Sequence, residues 1–341
     1  MSETIYVSSY GAFLSKKGDR FVIKVDKNKV EYALRDVSEI IILGLGKSIS
    51  VDLVHECVSN KIPIILSYVN GWPYAIILPV TITGTVAKRR AQYEALNNFR
   101  GVHLAKKFVY GKIINQANLL KFWSKSRKDK PEIFRQLKQF ALKISEMGNT
   151  LSNISSSKMD SEIREKIMNI EGRAADIYWQ GFSKVLPKGI EFEKREKRGA
   201  QDLVNSLLNL GYSILFKKVL IAINYTGLDP YAGFLHSDRS GRASLVLDVM
   251  EEFRQQIVDR VVVRMLSKKI ISVKDAIDDE GRLSDEVVKK ALNEFESRYD
   301  EFVTDVYGRR LKIGTFIREQ CRMLAKFLIC EIEEYKPFIL S

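Results

Sequence analysis

Short stretches rich in apolar and β-branched residues follow one another through the first eighty positions, at 5–8, 12–15, 21–25, 30–35 and 40–45. Turn-like sequences such as Lys-Lys-Gly-Asp and Asp-Lys-Asn separate them, so they predict strands. Ser50 is placed to cap a short helix over 51–60 that carries His55 and Cys57. Strand patterning returns at 64–68 and 74–78, around Asn-Gly-Trp-Pro at 70–73. After Pro79 the texture changes. Apolar residues recur at helical spacing, as in Leu203, Leu207, Leu210 and Ile214, and predict helices near 86–126, 132–147, 160–185, 200–227, 244–268, 284–306 and 311–335. Pro131, Pro187, Pro230 and Pro337 fall between these segments, where the chain must leave a helix. The expected fold class is α+β: a small β-rich N-terminal domain with one short helix, residues 1–82, then a large all-α C-terminal domain, residues 83–341. No internal repeat or low-complexity tail is visible.

Charge changes this picture. The apolar fraction of 45% and charged fraction of 28% are ordinary for a soluble chain, but the net charge of +13 is not. It favours a polyanionic partner. The first 85 residues hold 9 Lys and Arg against 8 Asp and Glu, whereas residues 86–130 hold 12 basic residues against Glu94 and Asp129. Tyr93, Phe99, Phe108, Tyr110, Phe122 and Trp123 interleave there, and helical spacing turns them toward a core. The charges either form a solvated helix face or track a phosphate backbone; the expected DNA contacts are Lys88, Arg89, Arg90, Lys106 and Lys107. Residues 184–198 (KVLPKGIEFEKREKR) read as an exposed, mobile charged loop. The start of the chain lacks the pattern of a secretory signal, no apolar run approaches the ~20 residues of a membrane span, and no membrane partner is expected. Cys57, Cys321 and Cys330 show no CxxC spacing, which argues against a zinc or disulfide framework and fits a reducing cytoplasm. Cys321 and Cys330 lie in an apolar helical pattern and are expected in the core.

The densest chemistry lies in residues 229–254, DPYAGFLHSDRSGRASLVLDVMEEFR. His236, one of three histidines, shares a polar loop with Arg239 and Arg242. The helical segment that follows offers Asp248, Glu251 and Glu252; spacings of three and four put Asp248 on one face with each glutamate. Glu171 interrupts an apolar helical approach in MNIEGRAADIYW and is the best third acid. Carboxylates with one imidazole suit Mg²⁺ or Mn²⁺ better than zinc, and Arg239 and Arg242 are then placed to clamp a phosphodiester. The plain readings stand beside this one: His236 as a surface hydrogen-bonding group, Glu251 and Glu252 as an exposed face with Glu251 paired to Arg254, and Glu171 paired to Arg173 or a distant lysine.

The run Gly227-Leu228-Asp229-Pro230, Gly233-Phe234-Leu235-His236-Ser237, Gly241-Arg242 and Leu247-Asp248-Val249-Met250-Glu251-Glu252-Phe253-Arg254 closely resembles the CRISPR-associated endonuclease Cas1 family. Two further blocks agree in order: Glu171-Gly172, Ala174-Ala175 and Tyr178-Trp179; then Asp202, Asn205, Leu208-Asn209 and Gly211-Tyr212. The resemblance covers essentially the whole chain. It implies a homodimer and a metal-dependent DNA endonuclease and integrase; the edge strands of the small β domain need covering, so pairing is expected through that domain. With a Cas2 partner such an enzyme inserts foreign DNA as new spacers into the CRISPR array, the adaptation stage of antiviral defence. Carried over by motif, the catalytic and metal-binding residues are Glu171, His236 and Glu251, with Asp248 auxiliary; the family often has aspartate where this chain has Glu251, so which acid binds closer is open. Tyr178 and Tyr212 are expected as core hydroxyls. Two other readings fit the residues alone. A non-catalytic nucleic-acid scaffold would need the basic surface only, and a hydrolase of small phosphorylated molecules would bind substrate with little salt dependence.

Overall fold

The computed structural model describes residues 3–80, 85–197, 199–237, 239–272, 276–278 and 282–340. The 82/83 domain boundary and Arg198, at the end of the charged loop, lie outside them. The chain divides into two compact units, Met1–Thr83 and Gly84–Ser341.

The first unit is built from two four-stranded sheets. One joins β1 (Glu3–Val7), β5 (Val37–Leu43), β7 (Ile64–Ser67) and β8 (Pro73–Ile77) in that order; the other joins β4 (Asn28–Ala33), β3 (Arg20–Val25), β2 (Phe13–Lys17) and β6 (Ser48–Ile49). β5 pairs in parallel with both β1 and β7. It therefore sits inside the sheet and is buried on both faces at Ile40, Ile41 and Ile42, which is why residues 40–43 are a continuous apolar run after Ser38 and Glu39. α1 (Val51–Ser59) begins at Ser50, whose side chain accepts from Leu53 N at 3.3 Å. Leu53 and Cys57 close its inner face against Leu14, Phe21, Ile40 and Ile64.

The second unit is mostly helical. Its helices are α2 (Thr85–Ala95), α3 (Phe99–Lys125), α4 (Pro131–Thr150), α5 (Ser161–Val185), α6 (Leu203–Thr226), α7 (Ser244–Met250), α8 (Arg260–Ser267), α9 (Asp285–Asp300) and α10 (Ile313–Leu328), and a π-helical turn, Gln255–Asp259, precedes α8. The span 86–126 is two helices, not one: Asn98 turns extended and its side chain accepts from Arg100 N at 2.9 Å, starting α3 afresh. α3 carries the core through Leu104, Phe108, Leu119, Leu120 and Trp123, while Tyr93, Phe99 and Phe122, expected inside, are exposed. Residues 302–306 and 311–312 leave the predicted helices to form a hairpin, β9 (Phe302–Thr304) with β10 (Arg310–Lys312). Asp305 stabilises its turn by accepting from Tyr307 N and Arg309 N, at 3.0 and 2.9 Å.

Three further expectations need correction. α6 is long and apolar enough to cross a membrane by length and composition, and 72% of that window is buried within the protein. Cys321 is buried, but Cys330 is exposed beyond the end of α10, at φ 61°, where its sulfur accepts from Arg100 Nη1 at 3.0 Å. The charged loop after α5 is tied down: Phe192 packs on Trp179 and Phe182, and Arg195 donates to Asn205 and Asn209 of α6.

Candidate functional site

Gln92 of α2, fully buried, holds the loop that leads to His236. Its amide donates to Asp229 O and Ala232 O, and its carbonyl accepts from Asp229 N at 2.8 Å. The loop then lies hard against α7 at Gly233, where an added Cβ would stand 2.7 Å from Ser244 Cβ and 3.0 Å from Asp248 Oδ2. This close approach brings three successive backbone N–H groups onto one carboxylate. Phe234 N and Leu235 N donate to Asp248 Oδ2 at 2.6 and 2.9 Å, and His236 N donates to Oδ1 at 3.0 Å. His236 Nδ1 lies 2.7 Å from the same Oδ1. The Asp248 carboxylate accepts, so Nδ1 carries the proton, and a neutral ring then presents the Nε2 lone pair outward. With four donors on it and no exposed surface, Asp248 orients the histidine and the loop.

Glu251 takes a different direction. α7 ends at Met250, and Glu251, Glu252 and Phe253 form a turn before the π-helical segment. Glu251 is nearly fully buried, against the reading of an exposed face. Lys112 of α3 reaches two carboxylates, Glu171 of α5 and Glu251, the second at 2.7 Å. Arg254 Nε stands 3.0 Å from Glu251 Oε1. The Lys112 ammonium is thus the partner of the buried Oε2, and the Arg254 guanidinium that of Oε1. Burial is the strongest influence on Glu251 and opposes its charge, but Arg254, Lys112 and His236 together hold its pKa down to about 2. Burial likewise opposes the charge of Lys112, and Glu251 and Glu171 more than reverse it.

Behind these groups stand two buttresses. Arg254 lies over the Tyr212 ring, 4.8 Å from its centroid, and Tyr212 and Tyr178 both donate to buried Asp259, at 2.5 and 2.7 Å. Both tyrosines are thus core hydroxyls. Burial raises Asp259 to about 6 despite the two donors. Glu252 turns away from Glu251 and holds the C-terminal tail: it accepts from Tyr335 OH, Gln320 Nε2 and Phe338 N at 2.8, 3.0 and 2.7 Å. Asn115 of α3 donates to Glu252 O and Phe338 O and accepts from Leu340 N. Gly111 leaves room for this layer, since a Cβ there would meet Pro337 Cβ at 2.9 Å and Glu252 Cγ at 3.1 Å. The sequence reading passed over Lys112, Asn115 and Lys197. Lys197, exposed at the surface, faces the same group; partial desolvation, then Arg254 and Lys112, lower its pKa.

The arginines and lysines expected on DNA have varied surroundings. Arg239 is exposed and lines an open cavity of ≈ 420 Å³ with Tyr93, Asp229 and Tyr231; Arg242 is half-buried in the same loop. Arg89 and Arg90 are exposed. Lys88 donates to Thr226 O at the end of α6, Lys106 to Ile154 O, and Lys107 to Glu334 at 2.5 Å. These three ammonium groups serve contacts within the protein.

Two buried or half-buried carboxylates and an imidazole whose Nδ1 is fixed by Asp248 form a donor set that suits a hard divalent cation. As the side chains lie, Lys112 stands between the two acids, and among the described residues no three of His, Cys, Asp and Glu are grouped closely enough to hold a metal. The fold is similar to that of a casposase bound to integration product (TM-score 0.83, 24% identity, 98% of this chain and 93% of that one). It is also similar to a Cas1 protein from Thermotoga maritima (TM-score 0.76, 22% identity, 96% and 97%). In sequence the chain is 36% identical to a CRISPR-associated endonuclease Cas1 of Archaeoglobus fulgidus, over 98% of this chain and 99% of that protein. It is 34% identical to one of Thermus thermophilus, over 98% and 96%. The family model described as CRISPR associated protein Cas1 matches residues 5–297, and with these relatives it shows that the chain belongs to the Cas1 family.

Proposed function

We propose that the protein is a divalent-metal-dependent DNA endonuclease and integrase that inserts DNA fragments into a CRISPR array. The observation that carries this reading is the convergence of Glu171 and Glu251 on Lys112, beside a histidine whose Nδ1 is locked by Asp248. Glu171, Glu251 and His236 Nε2 would hold Mg²⁺ or Mn²⁺, with Asp248 fixing the imidazole tautomer. The ion would supply Lewis-acid polarisation of the phosphodiester and a more acidic attacking hydroxyl or water. Lys112 gives up its bridge between the acids and, with Arg254 and Lys197, places positive charge where the phosphate oxygens gain negative charge. Arg239 and Arg242, on the histidine's own loop, hold the strand that enters, and Arg89 and Arg90 extend the basic surface. Glu251 is nearly fully buried and the Lys112 side chain 12% exposed, which limits water at that acid, while Glu171, 21% exposed, faces the opening of the site.

The partners are DNA, a second copy of the chain and a Cas2 subunit. Support for the second copy comes from the N-terminal unit, where Tyr10, Leu45, Val51 and Val69 are large apolar residues each more than three-quarters exposed. Support for Cas2 comes from the family and from similarity to a chain of a Cas6-RT-Cas1–Cas2 complex (TM-score 0.76, 19% identity, 100% of this chain and 36% of that one).

Strand transfer and nicking with Mn²⁺ test the reading. Glu171→Gln, His236→Ala and Glu251→Gln should each lose activity by on the order of 10²-fold or more. Wild-type rates in all three, or full activity in chelator, would leave a scaffold in place of an enzyme.

A further inference from the structure

A second group of cations lies beyond the metal centre, where α8 and α9 meet α3. Arg264 and Arg298 share Glu301: Arg264 Nη1 donates to it at 3.0 Å, and Arg298 Nη1 reaches its other oxygen. Arg264 also donates to Glu294 at 2.7 Å. Arg260, one turn before Arg264, forms no ion pair among the described residues, and Glu301 acts on it only through space. Its guanidinium carbon stands 4.0 Å from the centroid of the Phe122 ring, and its one hydrogen bond among the described residues is a 3.5 Å contact to Gln256 Oε1. Three guanidinium groups therefore face two carboxylates. Arg298 is 2% exposed, and its Nη2 is buried with no hydrogen-bond partner among the described residues.

A half-buried charge stacked on an aromatic ring keeps little of its hydration, and the stack offsets only part of that loss. Burial, then Arg298 and Arg264, push Arg260 down to about 10. Gln256 fixes the arrangement, because its backbone oxygen accepts from Arg298 Nε at 3.0 Å and its amide reaches Asn115 O. It sits in the π-helical turn, and such turns often mark functional sites. A planar fork of free donors at the rim of a net-positive group matches a phosphate, which accepts bidentately.

We propose that Arg260, backed by Arg298 and Arg264, binds a backbone phosphate of the DNA substrate at a site separate from the metal centre. The substrate class rests on the DNA-enzyme reading above. Lys112 and Phe122 are ten residues apart on α3, about 15 Å along its axis.

The test measures DNA affinity of the full-length protein from about 50 to 200 mM salt. Arg260→Met keeps the packing on Phe122 and removes the charge, while Arg260→Lys keeps the charge and removes the fork. The Met variant should show a log-affinity against log-salt slope shallower by about one, and the Lys variant a near-normal slope at reduced affinity. Glu251→Gln should lose strand transfer and keep the slope, so failure of the metal reading is visible separately. The proposal is overturned if the Met variant keeps the wild-type slope. In that case the residue only pins α8 to α3, or, should inorganic phosphate at fixed ionic strength raise the melting temperature of wild type but not of the Met variant, it holds a small phosphate.

Discussion

Replacing Asp248 by asparagine is the sharpest single perturbation of the site. Asp248 is fully buried, and its two oxygens receive four donors: Phe234 N and Leu235 N on one, His236 N and His236 Nδ1 on the other. An amide keeps one oxygen, so two donors must face an NH₂ group. With the NH₂ at the Oδ2 position both are backbone N–H groups that cannot adapt. With the NH₂ at the Oδ1 position only His236 N is left facing it, because the imidazole can shift its proton to Nε2 and accept at Nδ1. The second arrangement costs less and should prevail. At least one backbone bond to a charged acceptor is lost outright and others lose their ionic character, at about 1.5–3 kcal/mol each, so a total of about 3 kcal/mol is expected. The tautomer shift also removes the lone pair from Nε2, and Mn²⁺ affinity should fall by roughly 10- to 100-fold. Denaturant unfolding gives the first quantity, Mn²⁺ titration by electron paramagnetic resonance the second, and ¹⁵N shifts of His236 the tautomer. Stability within about 0.5 kcal/mol of wild type together with unchanged Mn²⁺ affinity would refute the orienting role.

Two other outcomes follow from the buttresses. Asp259 has its folded pKa raised from 3.8 to about 6. The stabilising contribution of its protonated form is complete below about pH 4 and is lost as pH rises through about 6, a change of about 3 kcal/mol at 1.36 kcal/mol per unit. Asp259→Asn should remove that slope between pH 4 and 6 in denaturant midpoints compared with wild type, and parallel curves would contradict it. Asn115→Ala strips three hydrogen bonds that join α3, the Glu251 turn and the tail, and should cost about 2–4 kcal/mol. Hydrogen exchange should show the amides of Phe338 and Leu340 losing protection first; equal protection in both proteins would sink that account.

The strands of the first unit were legible because each is short and the buried stretches are apolar, as in Ile40–Leu43 of β5. The break before α3 was legible in principle, since Asn98 is a good helix-starting residue, but the apolar periodicity on either side ran through it. Spacing singled out the candidate acids, and the polar loop singled out His236; only the family resemblance separated Glu251 from Asp248. Asp248 and Glu251 share a face on an ideal helix, yet α7 ends at Met250, so one acid turns to the loop and the other to Lys112. Lys112 lies 59 residues before Glu171 and reads as one more lysine in a basic helix. The tail that holds Glu252 shows no local pattern at all, because extended chain buried against α3 has neither a helical nor a strand period.

The central claim is that Glu171, His236 and Glu251 hold one divalent ion. A crystal structure of the full-length protein with Mn²⁺, read by anomalous scattering, tests it most directly. The account predicts a single peak within about 2.0–2.5 Å of a Glu171 oxygen, His236 Nε2 and a Glu251 oxygen, with the Lys112 ammonium withdrawn from between the acids and Asp248 still on His236 Nδ1. A peak bound through Asp248, or none at this position while Lys112 keeps both acids, would contradict it.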